Sequence, residues 1–200
     1  MQLIVATRNA HKTREIQRIL GPSFTVSDLS AHPEIPEMHE SGKSFEENAM
    51  LKAVGASRHL PGLIVADDSG LEVDALGSAP GIFSARYAGE NASDKQNIDR
   101  LLSELARIKA EETKRSARFR CVIALVRQGK LLGTFEGIVE GTIVDRARGL
   151  HGFGYDPIFV PRGFEETFAE LPAEVKDTVS HRAKAIRRLT AKLAALKTAD

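Results

Sequence analysis

The chain has 200 residues, 42% of them hydrophobic, and a formal net charge of +1. That length and apolar content support one domain with a real core, built as two closely packed lobes or as one. The balanced charge excludes a global basic field for nucleic acid, and no apolar run reaches the roughly 18 residues a membrane helix needs.

Gln2 to Thr7 reads as a first strand, followed by the loop Arg8-Asn9-Ala10-His11 and a helix from Lys12 to Leu20 that ends at Gly21-Pro22. A short strand is expected over Thr25 to Leu29, then a polar loop from Ser30 to Lys43. Ser44-Phe45-Glu46-Glu47 has the spacing of a capping box, so a helix should run from about Phe45 to His59. The apolar run Leu63 to Ala66 reads as a buried strand that stops at Asp67-Asp68; Gly70 lets the chain turn, and Leu71 to Leu76 either extend the strand or turn back. After an irregular segment from Gly77 to Gly89, Ser93-Asp94-Lys95-Gln96 is a second capping box and opens a long helix. Arg118 to Val126 and Leu131 to Ile143 read as strands of a hairpin around Gln128-Gly129-Lys130. Cys121 lies among apolar neighbours and reads as a buried strand residue. As the only cysteine it excludes a disulfide framework and suits a reducing compartment. A glycine-rich loop, Gly149 to Pro157, precedes the strand Ile158-Phe159-Val160, and a last helix spans about Arg182 to Leu196. The N-terminus lacks the basic start and long apolar region of a signal peptide, so a soluble cytoplasmic protein is expected. Strands and helices mix along the chain, which makes the class α/β with some antiparallel pairing.

Four segments carry candidate chemistry. Adjacent carboxylates at Asp67 and Asp68 repel unless something cationic pairs with them. A divalent metal would do so; a structural salt bridge or an N-cap would as well. With Glu40 they form an oxygen-only set that suits Mg²⁺ and not zinc. Thr7-Arg8-Asn9-Ala10-His11-Lys12 leads into a helix N-terminus, where amides, dipole and a lysine attract anions. It lacks the P-loop pattern, and an ordinary capped helix fits it too. Gly152-Phe153-Gly154-Tyr155-Asp156-Pro157 offers two aromatics that could stack on a base, or merely cap the core. Lys176 and Ser180-His181-Arg182 offer donors near the last helix start, or simply a solvated face.

Taken in order, Thr7-x-Asn9-x-x-Lys12, Ser44 to Ala49, Asp67 to Leu71, Ala79 to Tyr87, Gly152 to Pro157 and Ser180-His181-Arg182 span most of the chain. The chain closely resembles the inosine triphosphate pyrophosphatase family, which hydrolyses non-standard purine nucleoside triphosphates to monophosphate and pyrophosphate. The resemblance implies an elongated, twisted mixed β-sheet flanked by helices. It implies a single domain over 1–200, with two lobes around a central nucleotide cleft, and also Mg²⁺ and a homodimer. Carried over by position, Asp68 is the metal ligand and general base, with Glu40 the second ligand and Glu37 the other candidate. Thr7, Arg8, Asn9, Ala10, His11 and Lys12 hold the triphosphate, and Ser69 contacts substrate. Phe153, Gly154, Tyr155 and Asp156, with Lys176, His181 and Arg182, bind the base and sugar. Donors at His181 or Arg182 would favour the 6-oxo group of hypoxanthine and xanthine over the amine of adenine. The competing readings are a related pyrophosphatase for pyrimidine or modified nucleotides, and a catalytically silent nucleotide-binding module.

Overall fold

Strand β1 (Gln2–Val5) is buried along its last three residues and pairs in parallel with two neighbours, β2 (Thr25–Asp28) and β3 (Leu63–Val73). Val5 lies opposite both Asp28 and Val65. Near-continuous apolar runs are what parallel strands covered on both faces require. The computed structural model describes residues 1–111 and 114–197. Within them a six-stranded mixed sheet has the order β2-β1-β3-β4-β5-β6, where β4 is Ser116–Arg127, β5 Lys130–Ile143 and β6 Phe159–Pro161. The β5–β6 pair is antiparallel. Gln128 and Gly129 join β4 to β5, both with positive φ (51° and 76°). That is the two-residue turn whose twist matches a hairpin.

The helices are α1 (Ala10–Leu20), α2 (Phe45–Ser57), α3 (Asp94–Arg107), α4 (Ala173–Val179) and α5 (His181–Lys197). Helix α3 opens with the full reciprocal capping box expected at Ser93 and Gln96. The box at Ser44 is half made. Ser44 Oγ accepts the Glu47 amide, but the Glu47 carboxylate takes the amide of Lys43, one residue too early. Helix α1 starts two residues before Lys12, because Asn9 caps it. Helix α4 had no sequence signal; its seven residues are too few for apolar periodicity to declare itself.

The chain divides into two compact units, Met1–Asp68 with Cys121–Gly137 and His181–Asp200, and Ser69–Arg120 with Ile138–Ser180. In the first, α1 and α5 pack Ile16, Leu20, Ile186, Leu189 and Leu193 onto Leu3, Val5, Val65 and Cys121. Each fully buried aliphatic side chain contributes about 1.5–3 kcal/mol. Gly137 on β5 admits the start of α5. A Cβ there would lie 2.1 Å from the carbonyl oxygen of His181 and 2.5 Å from the amide nitrogen of Ala185. The second unit is built on Leu71, Leu101, Leu105 and an aromatic stack in which Phe159 meets Phe119 edge-on at 4.8 Å and Phe168 at 5.3 Å.

One expectation fails in an informative way. The acids do not end a strand: β3 continues through Asp67, Asp68, Ser69 and Gly70 to Val73. Gly70 is a strand residue, not a turn. Leu71 and Val73 are fully buried and carry the strand onward, and the two charges are tolerated mid-strand because each is neutralised locally.

Candidate active site

Successive strand side chains point to opposite faces. Asp67 therefore shares a face with Val65, towards α1 and α5, while Asp68 shares the other with Ala66, towards α2. Their contacts follow this division. Asp67 lies 3.1 Å from Lys12 Nζ of α1 and 3.0 Å from a guanidinium nitrogen of Arg182 in α5. The same guanidinium donates to Glu15 of α1. Burial alone would raise the Asp67 carboxyl, but Lys12 and Arg182 outweigh it and hold it well below the ordinary range. Arg182 is held above its ordinary value: burial opposes this, and Asp67 and Glu15 overcome it.

On the opposite face, Lys52 Nζ lies 2.9 Å from Asp68 and 2.7 Å from Glu40. Asn48, fully buried, donates from Nδ2 to Asp68 Oδ2 at 3.2 Å and accepts the Gly42 amide on Oδ1 at 2.8 Å. It ties the segment carrying Glu40 to the strand carrying Asp68. Gly42 must be small there, since a Cβ would sit 2.7 Å from Asn48 Oδ1. Burial pushes the Asp68 carboxyl above its ordinary value; Lys52 opposes this and the nearby Glu40 charge adds to it. Two adjacent carboxylates thus have opposite electrostatics. Asp67 is a permanent anion inside an ion network, and Asp68 is a basic carboxylate, the usual sign of divided roles. Glu37, the other candidate ligand, is exposed, whereas Glu40 stands beside Asp68.

The helix start at Thr7 to Lys12 differs from a bare anion cradle. Asn9 Oδ1 accepts the amides of His11 and Lys12, and Thr7 Oγ1 accepts that of Asn9. The dipole and Lys12 remain, but those amides already have partners. Ala10 and His11 are exposed. Arg8 turns away and donates to the Ile35 carbonyl at 2.6 Å, so its side chain braces the loop after β2.

In the second unit, Ser69 is half-buried on β3. The glycine-rich loop closes on itself through Asp156, whose Oδ2 accepts the Phe153 amide at 2.9 Å and the Lys176 ammonium. Gly152 (φ 77°) is required, because a Cβ would fall 2.0 Å from that oxygen. Lys176 Nζ also lies 5.2 Å from the Phe153 ring centroid. Asp94 accepts the Gly154 amide at 2.6 Å and anchors the loop to α3. Tyr155 is a core residue: its hydroxyl donates to the Ser84 carbonyl at 2.9 Å, and burial raises the phenol. Of the two aromatics, Phe153 is half-buried and Tyr155 is buried. Asp156 is the staple that shapes the loop.

His181 and Arg182 are both buried, in the first turn of α5. Two of the five N–H donors of Arg182 go to Glu15 and Asp67, so the pair is not a solvated dipeptide. Sequence reasoning missed Glu15, Asn48 and Lys52. Each had a signal: Glu15 follows Lys12 by three and adjoins the apolar Ile16, and Asn48 and Lys52 are four apart beside Ala49, Ala53 and Ala56.

A mixed sheet, parallel at its β2-β1-β3 end, whose strand β3 carries divided carboxylates, each met by lysine, defines a class. The Ham1 family profile matches residues 3–192, and the chain belongs to the Ham1 family. Among its relatives, the dITP/XTP pyrophosphatase of Geobacter sulfurreducens is 52% identical over 190 residues, 94% of each chain. The dITP/XTP pyrophosphatase of Bacillus licheniformis is 45% identical over 193 residues, 96% of this chain and 97% of the other. The solved structure of the Staphylococcus aureus Ham1 protein superposes with a TM-score of 0.84 at 42% identity, covering 98% of this chain and 99% of that one. The resemblance drawn from the six sequence blocks is borne out.

Proposed function

We propose that this protein hydrolyses non-standard purine nucleoside triphosphates, ITP, dITP and XTP, to the monophosphate and pyrophosphate. The observation that carries the reading is its near full-length match to relatives named dITP/XTP pyrophosphatase. The geometry supports this chemistry. Asp68, raised by burial, accepts a proton from the attacking water; such assistance is typically worth ~10²–10⁴-fold. Lys12 and the α1 dipole neutralise phosphate oxygens. Phosphoryl transfer needs this charge neutralisation and in-line placement more than covalent help.

Magnesium belongs to the same proposal. Glu40 and Asp68 supply two hard oxygen donors on one face of β3, the donor type and number Mg²⁺ takes beside waters and phosphate oxygens. Bound there, it would withdraw charge from the polyphosphate and acidify a water. Phe153 is assigned to the base, by stacking, with Ser69, Lys176, His181 and Arg182 as polar contacts. Asp156 acts by holding the loop. The protein is further proposed to work as a homodimer in the cytoplasm; among the described residues no helix is long and apolar enough to cross a membrane.

The test is a panel of ITP, dITP, XTP, GTP and ATP with Mg²⁺. Turnover of the first three should exceed that of ATP by orders of magnitude, with loss on Mg²⁺ removal. Equal turnover of ATP, or preference for a pyrimidine nucleotide, would overturn the substrate assignment.

A further inference from the structure

We propose that Lys52 is a resident counter-ion of the Glu40–Asp68 pair, which keeps the pair from binding a free divalent cation, so that the cation enters together with the polyphosphate. The inference rests on the site reading above and extends it to the order of binding.

The ammonium of Lys52 contacts both carboxylates, at 2.7 and 2.9 Å, and its side chain is 10% exposed. It occupies the position between two carboxylates that a dication would seek. The remaining oxygen of Asp68 accepts from Asn48. Counted as charges, Glu40, Asp68 and Lys52 sum to −1. On the other face Asp67 and Glu15 are balanced by Lys12 and Arg182. Among the described residues no group of three or more Asp, Glu, His or Cys is placed to hold a metal. A net single negative charge with a fixed cation inside it is a weak site for a hard dication, which needs several anionic oxygens and dehydrates reluctantly. A polyphosphate brings those oxygens. It also gives the ammonium somewhere to go: on arrival Lys52 can move from the carboxylates to a phosphate oxygen, leaving Glu40 and Asp68 to the metal.

The prediction concerns metal binding without nucleotide and needs no turnover. Mn²⁺ is titrated into the nucleotide-free protein by calorimetry and by electron paramagnetic resonance. The wild-type protein should show no saturable site below about 1 mM. Lys52→Met should bind one Mn²⁺ at least tenfold more tightly, since a like charge beside the ion is removed. Lys52→Gln, which keeps a donor to Asp68, guards against a misfolded Met variant and should show the same gain. Adding Glu40→Gln to either variant should abolish it. Micromolar Mn²⁺ binding by the wild type would overturn the inference, whatever the variants do. So would a folded Lys52→Met or Lys52→Gln that binds no better than wild type. If these outcomes occur while the wild type still hydrolyses ITP in a metal-dependent way, the site reading stands and only the role of Lys52 falls. If the wild type hydrolyses ITP equally well in a chelator, the site reading falls instead.

Discussion

Replacing Asn48 by alanine should damage folding and turnover together, and by amounts that the contacts define. The side chain is fully buried and makes two hydrogen bonds, one to the Gly42 amide and one to the Asp68 carboxylate. A neutral bond contributes about 1 kcal/mol and one to a charged group about 1.5–3 kcal/mol. Asn48→Ala removes both and leaves the buried Asp68 carboxylate and the half-buried Gly42 amide each short of a partner, so a loss of about 3 kcal/mol is expected. At this chain length that lowers Tm by roughly 6–12 °C. Turnover suffers for a separate reason. Asp68 loses one of two fixed contacts, and the segment bearing Glu40 loses its tie to β3. Misplacement of about 1 Å at a reacting group costs on the order of 10²-fold. Asn48→Asp should be worse still, because a carboxylate would replace a donor that stands 3.2 Å from Asp68 and the two would have to share a proton. Thermal melts and steady-state ITP hydrolysis with Mg²⁺ measure both effects. Asn48→Ala with Tm within about 1 °C of wild type and kcat/KM within twofold would refute the argument that Asn48 positions Asp68.

Three further outcomes follow from the same network. Arg182→Met leaves Asp67 and Glu15 buried without their shared guanidinium; breaking a buried pair this way should cost about 3–5 kcal/mol in urea unfolding, and a change under 1 kcal/mol would contradict the network. The folded-state Asp67 carboxyl lies below its unfolded value, so its contribution is present above about pH 4, the unfolded carboxylate range, and is lost as pH falls from there towards the folded value. Urea midpoints from pH 7 to pH 3 should therefore fall, and Asp67→Asn should flatten that fall; an unchanged slope in the variant would assign it to other groups. Cys121 is fully buried and its thiol is pushed up to about 12 by burial, reinforced by the Asp67 charge. The native protein should resist iodoacetamide at pH 8 and react once unfolded in urea; rapid native labelling would contradict its place in the core.

Most of the fold was legible where local chemistry agrees with tertiary structure. The Ser93 box, the Gln128-Gly129 turn and the apolar stripe of α5 each declare one structure, and each forms. What failed did so for physical reasons. A pair of aspartates is disfavoured inside a strand, so the apolar run by itself marks a strand only as far as Ala66. Only the cations from α1, α2 and α5, far away in sequence, make the interior position tolerable. That early stop concealed the alternation that separates Asp67 from Asp68. The candidate site residues came from matching blocks of a family, and such blocks identify positions without identifying contacts. Hence the blocks assign Tyr155 and Asp156 to the base without showing that the Tyr155 hydroxyl also donates to Ser84 in the core and that Asp156 also holds its own loop. Lys52 and Asn48 lay four apart on α2 in plain view, but a role for them required knowing that α2 packs against the Asp68 face.

The most direct test of the central claim is the fate of the attacking oxygen. Hydrolysis of ITP in H₂¹⁸O, followed by mass spectrometry of both products, should place the label in the monophosphate and none in pyrophosphate, as attack at the α-phosphorus requires. Label in pyrophosphate, or orthophosphate as the first product, would contradict it.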